Sequence, residues 1–337
     1  MAKNPILRWL PPAMSLGLFA LSLWTIQHNL QHYQAENFWD SLSNIPHSHI
    51  VLAIALMGLN YFIMTGYECL GITYVRRTLP YTKKALVGII CSGISNSVGF
   101  AVLSSCMIRY RFYSVWGFSV AKIAQISAFC NLSFCLGLFV VGSIIFIKEP
   151  LPIPQLIEFP FLSVRPLGII FLVVILAYLF LTVIRQKPLM VGKWIIPHLP
   201  FRLAVAQLVI SALDWCLAAA VFYTLLQGSV SLSYSEFFGI YMLAQVAGLA
   251  SNIPGGLGIF ETVMILLLAP LITSENLLGT LLIYRAIYYF IPLSVAAVLL
   301  GKYEWHNFFH KQQSQPETVS HFSTTVQEKM NIDESIR

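Results

Sequence analysis

The sequence predicts an all-α polytopic membrane protein with about 7–8 apolar helical spans and one or two re-entrant or broken helices. Its 337 residues are 57% hydrophobic and only 10% charged, where a soluble domain carries about 25% charge. The mean hydropathy is +0.74. Apolar runs of about 20 residues, enough to cross a ~30 Å hydrocarbon core as helix, recur along the whole chain. Two of them are interrupted by glycine, serine or proline.

The first run, 9–27, follows Lys3 and Arg8 and leads to no small-residue cleavage site, so it reads as a retained signal anchor. Further runs fall at 49–72, 85–106, 121–147, 166–184, 203–226, 237–252, 254–272 and 277–300. The connection 148–166 holds five prolines and cannot be one continuous helix. It reads as a structured loop or an amphipathic stretch on the membrane surface. Residues 1–304 form the transmembrane unit, and 305–337 a polar cytoplasmic tail expected to be disordered.

The net charge of +6 comes from short Lys and Arg clusters between apolar runs, where membrane orientation accounts for them and nucleic acid does not. If every run spanned, Arg109, Arg111 and Lys122 would fall outside, as would Arg185, Lys187, Lys193 and Arg202. That violates the bias keeping Lys and Arg in cytoplasmic loops. If 85–106 dips in and returns to its own face, both clusters become cytoplasmic, as do both chain termini. The segment "VGIICSGISNSVGFAVLSSC" within it has three glycines, five serines and an asparagine. It is either a small-residue helix packed in a bundle or a re-entrant element lining a cavity, and the charge count favours the second. The other interruption is "SNIPGGLGIFE", residues 251–261. One broken segment in each half points to a transporter-type binding site, or to two hinges with no ligand.

An ion at the centre of a spanning helix costs about 2.5–3.5 kcal/mol and persists only if paired, snorkelled or wet. Glu261 follows the Pro254-Gly255-Gly256 break, with Gly258 between. It is placed either to meet a cation or an arginine beside freed backbone amides, or to cap its own helix. Arg285 lies in the last run, with Tyr288 and Tyr289 at i+3 and i+4. That face suits a phosphate, and Arg285 also suits Glu261. Arg109 and Arg111, flanked by aromatics, either hold a lipid phosphate at the headgroup level or merely set topology. Asp214, beside Trp215 near one end of its run, reads as interfacial.

The six cysteines and the pairs His28/His32, His47/His49 and His306/His310 match no metal-ligand pattern. No P-loop, dinucleotide fingerprint or nucleophile elbow is present. No cofactor and no metal are expected.

At "SNIPGGLGIFETVMI" the chain resembles the lysylphosphatidylglycerol synthase transmembrane-region family, the lipid-flippase half of bacterial multiple peptide resistance factors. The likeness extends through "NSVGFAVLSSCMIRYRFY" (96–113), "DWCLAAAVFYTLL" (214–226), "YRAIYYFIPL" (284–293) and "KYE" (302–304), and so over most of residues 50–304. The resemblance implies a bacterial plasma-membrane protein that translocates or handles a phospholipid, such as an aminoacylated phosphatidylglycerol. Pro254, Gly255, Gly256, Gly258 and Glu261 match the family motif, and Arg109, Arg285, Tyr288 and Tyr289 fall where the family carries similar residues. Two departures stand out. "GFAVLSS" replaces a more glycine-rich stretch. Only about 35 residues follow the last run, so the synthase domain of the fused members is expected to be absent and the chain not to be an enzyme. The implied partners are membrane phospholipids, with a second copy or a separate lipid-modifying enzyme as further possibilities.

In a cysteine-free background, a cysteine placed at Ser114 should react with an impermeant thiol reagent only from the cytoplasmic side. Labelling from the external side alone would overturn the re-entrant assignment of 85–106.

Overall fold

The computed structural model describes residues 45–98, 101–149, 163–185, 187, 189–191, 194–196, 198–226, 232–250, 258–269, 271–272 and 274–313. The elements run α1 (His47–Tyr74), α2 (Tyr81–Val98), α3 (Ala101–Val115), α4 (Val120–Lys148), α5 (Arg165–Ile184), β1 (Leu189–Val191), β2 (Trp194–Ile196), α6 (Phe201–Leu226), α7 (Tyr234–Ala250), α8 (Ile259–Leu268), α9 (Ser274–Arg285), a π-helical turn (Ala286–Phe290) and α10 (Ile291–Gln313). The strands among the described residues form the short antiparallel β1–β2 ribbon, with Leu189 opposite Ile196. It lies in the connection before α6.

Local chemistry sets where helices start and stop. The Ser119 hydroxyl accepts from the Lys122 amide at 3.5 Å to cap α4. Pro166 sits in the first turn of α5, where its missing N–H costs nothing. A capping box opens α7: Ser233 N donates to Glu236 Oε2 at 2.9 Å, and Glu236 N to Ser233 Oγ at 3.3 Å. The Ser233 hydroxyl and amide together hold the exposed Glu236 carboxyl below the usual carboxylate range.

Five helical stretches are long and apolar enough to cross a membrane: α1, α4, α5, α6 and the run Asn276–Asn307 through α9, the π turn and α10. α1 packs along α6, and α4 packs on both α5 and α6. The outward face of α5 is bare hydrocarbon, with Ile169, Val173, Leu176 and Phe180 all exposed. The other apolar runs among the described residues are not long and apolar enough to join them. α2 and α3 pack antiparallel, with Ser104 Oγ 3.1 Å from Ser95 Oγ and Cys91 Sγ 3.8 Å from the Ser105 carbonyl. The ends of this hairpin lie together, since Lys83 sits 5.0 Å over the Trp116 ring and Arg77 is 6.0 Å from that of Phe118. The run 85–106 therefore returns to the end of the bundle from which it starts.

The described residues supply five such stretches, fewer than the expected 7–8 spans. Runs 237–252 and 254–272 form a second hairpin, α7 against α8, with Phe260 beside Tyr241, well back from the end of α7, at 5.7 Å between ring centroids. The reason is length. α8 has ten residues, about 15 Å of helix, half of the ~30 Å hydrocarbon core. Run 9–27 and most of the connection 148–166 lie outside the described residues, as does 314–337 of the expected tail 305–337, whose first part, 305–313, is helical in α10.

The hairpins enter from opposite ends. Ser235, at the start of α7, reaches Glu149 past the end of α4 at 3.3 Å, whereas Arg111, near the end of α3, meets Glu304 on α10 at 2.6 Å. Following the alternating helices, Arg76, Arg77, Lys83, Lys84, Lys122, Arg185, Lys187 and Arg202 share the end of the first hairpin, and Lys148 and Arg165 the other.

A Cβ at Gly93 would sit 2.7 Å from the Pro292 carbonyl oxygen and 2.8 Å from Ala296 Cβ. Gly93→Ala should therefore push the first hairpin off α10 and cost about 1–3 kcal/mol in detergent unfolding. Gly58→Ala, where a Cβ meets nothing within 4 Å, should be neutral or stabilising by up to about 1 kcal/mol.

Candidate functional site

The hairpins flank one cavity of about 590 Å³. Asn96, Val102 and Leu103 line it from the first hairpin, and Gln245, Gly248 and Leu249 from the second. α1, α4, α6 and the π turn complete the wall through residues such as Tyr67, Asn131, Asp214, Tyr288 and Tyr289. Val102 and Leu103 are both 62% exposed and Leu249 45%, so part of the cavity's rim is apolar and exposed.

Ionised groups inside the bundle are tied together. On α3, Arg109 is buried and lines the cavity. Its Nε and Nη2 lie 2.7 and 2.6 Å from Glu68 Oε1 on α1, while Tyr113 Oη donates to Glu68 Oε2. Arg109 Nη1 is buried without a hydrogen-bond partner among the described residues. Two residues on, Arg111 faces away from the cavity and binds Glu304. Both arginines are buried within the bundle, on α3, which continues to Val115.

Both readings of Glu261 hold together. Its Oε2 accepts from the Gly258 amide at 2.8 Å, the carboxylate half of a capping box on α8. Its Oε1 takes Arg285 Nε at 2.7 Å and Nη2 at 2.6 Å. Gly258 has φ +83°, a left-handed conformation that side chains other than glycine's resist. Pro254, Gly255 and Gly256 lie outside the described residues.

Glu261 and Arg285 are not in the cavity wall. Arg285 approaches it through Tyr289, whose ring centroid lies 4.6 Å from the guanidinium carbon. Tyr288 and Tyr289 both lie in the π turn, where the helix takes in an extra residue. The Tyr288 hydroxyl accepts from Asn60 Nδ2 at 2.6 Å, and the backbone carbonyls of Tyr288 and Tyr289 accept from Tyr61 Oη and Ser97 Oγ, each at 3.4 Å.

Asp214 corrects the interfacial reading. It lies midway along α6, 2% exposed, and its Oδ2 accepts from Tyr67 Oη at 2.7 Å. Trp215 is also interior, its indole N–H donating to the Phe134 carbonyl at 3.0 Å. Trp215 had suggested an interface, but one neighbour says less than the position of Asp214 between the helix ends. Glu68, central to the Arg109 cluster, was missed from the sequence. The signal was available: it is an acid inside the apolar run 49–72, the criterion that singled out Glu261 and Arg285.

Glu68→Ala and Arg109→Ala should each lose about 3–5 kcal/mol of stability, because either leaves a buried charge unpaired. The double variant should lose clearly less than the sum, measured by detergent unfolding as a double-mutant cycle.

Residues 12–296 match the family model described as the lysylphosphatidylglycerol synthase TM region. The chain is 48% identical over 294 residues to the uncharacterised protein slr0712 of Synechocystis, covering 87% of this chain and 91% of that protein. It is 30% identical over 267 residues to the inner membrane protein YbhN of Escherichia coli, covering 78% and 82% of the two. A phosphatidylglycerol lysyltransferase of Staphylococcus haemolyticus is 24% identical over 299 residues, and the match covers 88% of this chain but 34% of the lysyltransferase. The chain thus spans about a third of the lysyltransferase's length, within the transmembrane region. A multi-pass membrane architecture, two hairpins around a cavity that holds Arg109 and Asp214, and a family match over most of its length lead to one assignment: this chain belongs to the lysylphosphatidylglycerol synthase transmembrane-region family.

Proposed function

We propose that this protein translocates or handles a phospholipid at the bacterial plasma membrane, drawing its charged headgroup into the cavity between the hairpins while the acyl chains stay outside. The observation that carries this reading is the cavity itself. Its volume of about 590 Å³ suits a small polar ligand, its wall holds Arg109 and Asp214, and its rim of Val102, Leu103 and Leu249 faces outward. A headgroup can slide past such a rim without its acyl chains crossing the protein. The basic end of the bundle is then cytoplasmic and includes the C-terminal end of α10. The first hairpin enters from the cytoplasm and the second from outside.

In this reading Arg109 Nη1, buried without a partner among the described residues, offers a donor to the lipid phosphate. Glu261 and Arg285, tied at 2.6 Å, hold the second hairpin to the last helix, and Tyr289 links that pair to the wall. Aminoacylated phosphatidylglycerol is the cargo suggested by the lysyltransferase relatives. Pro254, Gly255, Gly256, Gly258, Tyr288 and Arg111 belong to the same proposal, as the break and frame of the site. The chain itself would perform no synthesis.

The matched lysyltransferase is about three times as long as the shared region, which favours an alternative: a membrane partner, in one or two copies, that supplies substrate to a separate lipid-modifying enzyme.

Purified protein in vesicles with fluorescent or aminoacylated phosphatidylglycerol separates the two. Transport predicts accelerated transbilayer movement, reduced about tenfold or more in Glu261→Gln and Arg285→Ala. Unchanged movement in both variants would remove those residues from the site. No movement by the wild type, with a soluble enzyme co-purifying, would favour the partner role.

A further inference from the structure

Three ion pairs, each with a buried arginine, account for Glu68, Glu261 and Glu304. Asp214 is different. It is 2% exposed, it lines the cavity, and among the described residues it has no cationic partner. What faces it from each neighbouring element is neutral. From α1 come the phenols of Tyr61 and Tyr67, from α7 that of Tyr241, and from the π turn that of Tyr288. From α4, the Cys130 thiol lines the same cavity. Arg109 of α3 is the cation in the cavity wall, and Glu68 already engages it through two nitrogens.

A carboxylate withdrawn from water and left without a counter-charge is costly enough that such groups neutralise themselves instead. Two neutralising agents fit a carboxyl that opens on a cavity: a proton when the cavity is empty, or a positive group on whatever fills it. Tyr67 donates to Oδ2 at 2.7 Å and the Asn60 side chain also hydrogen-bonds the carboxyl, two neutral donors that leave lone pairs to carry the proton or meet the cation.

We infer that Asp214 is the protein's proton-exchange site: it holds a proton while the cavity is empty and releases it when a cationic group enters. In that step the carboxyl O–H bond breaks, the proton passes to cavity water, and the carboxylate pairs with the incoming ammonium. The inference rests on the lipid-handling reading for its cargo but concerns what drives the cycle. Each cationic head admitted expels one proton, so a proton gradient can bias the direction of movement.

The test uses the full chain in nanodiscs and needs no lipid movement, so its outcome is independent of the transport assay. Infrared difference spectra during a pH titration should show a protonated carboxyl band that grows as the pH falls below neutral. That band should be lost in Asp214→Asn, retained in Glu261→Gln, and shifted but present in Tyr67→Phe, which removes only the hydrogen bond. Dodecylammonium, as the cationic probe, should release about one proton per protein into weak buffer, and the uncharged dodecyl maltoside none. Its affinity should fall on acidification, approaching the limit of about tenfold per pH unit for a one-proton exchange, and Asp214→Asn should flatten that dependence. The inference is overturned by the absence of an Asp214-dependent band, by equal proton release from Asp214→Asn, or by a band that disappears with sodium at constant pH, which would make the site a metal-ion site.

Discussion

Inside a bilayer an interrupted helix has no water to satisfy its freed amides and carbonyls, and the carboxylate of Glu261 meets that constraint at the second interruption. One oxygen takes the Gly258 amide, the first donor of the new helix, and the other takes Arg285. The same side chain thus restarts the helix after the break and fastens it to the last spanning segment. A charge that would be a liability in either role alone is neutralised by filling both. This answers why a carboxylate follows directly on a glycine-rich break in so apolar a chain.

The first hairpin satisfies the same constraint by small polar residues. Ser95 and Ser104 bond across it, and Ser97 reaches the Tyr289 carbonyl in the π turn. A π turn leaves carbonyls without their usual in-helix partners; here Ser97 and Tyr61 supply hydrogen bonds to two of them. Close approach makes this possible, since Gly93 lets α2 rest almost on the backbone of α10 at Pro292. The last helix is therefore the common support of both hairpins, braced by Arg285 on one side and Ser97 on the other, with Arg111–Glu304 anchoring its basic end. Movement of either hairpin must be felt at the π turn, whose tyrosines line the cavity.

Much of this was legible in composition and charge. The small residues of 85–106 and the placement of Lys and Arg around it pointed to an element that turns back, and α2–α3 does so. The Glu261–Arg285 pair was readable because so apolar a chain offers few other partners for either ion. The second break was read at 251–261, but its two flanks, 237–252 and 254–272, each resemble a span in hydropathy. What decides between them is the ten-residue length of α8, set by where the break ends. Glu68 was readable and overlooked. Asp214 was misread, because Trp215 beside it suggests an interface in sequence, whereas depth depends on where α6 begins and ends in the bundle.

By itself, then, the sequence determined a helical membrane protein with one broken segment in each half and a small stock of intramembrane ions, since hydropathy, glycine content and charge are properties of local composition. Which ions pair was decided only by tertiary structure. Glu68 meets Arg109 across 41 positions and Arg111 meets Glu304 across 193, while Asp214 is left facing a cavity with phenols around it. Such partnerships depend on helix rotation and crossing within the bundle. Those are set by packing among residues distant in sequence, and no local pattern encodes them.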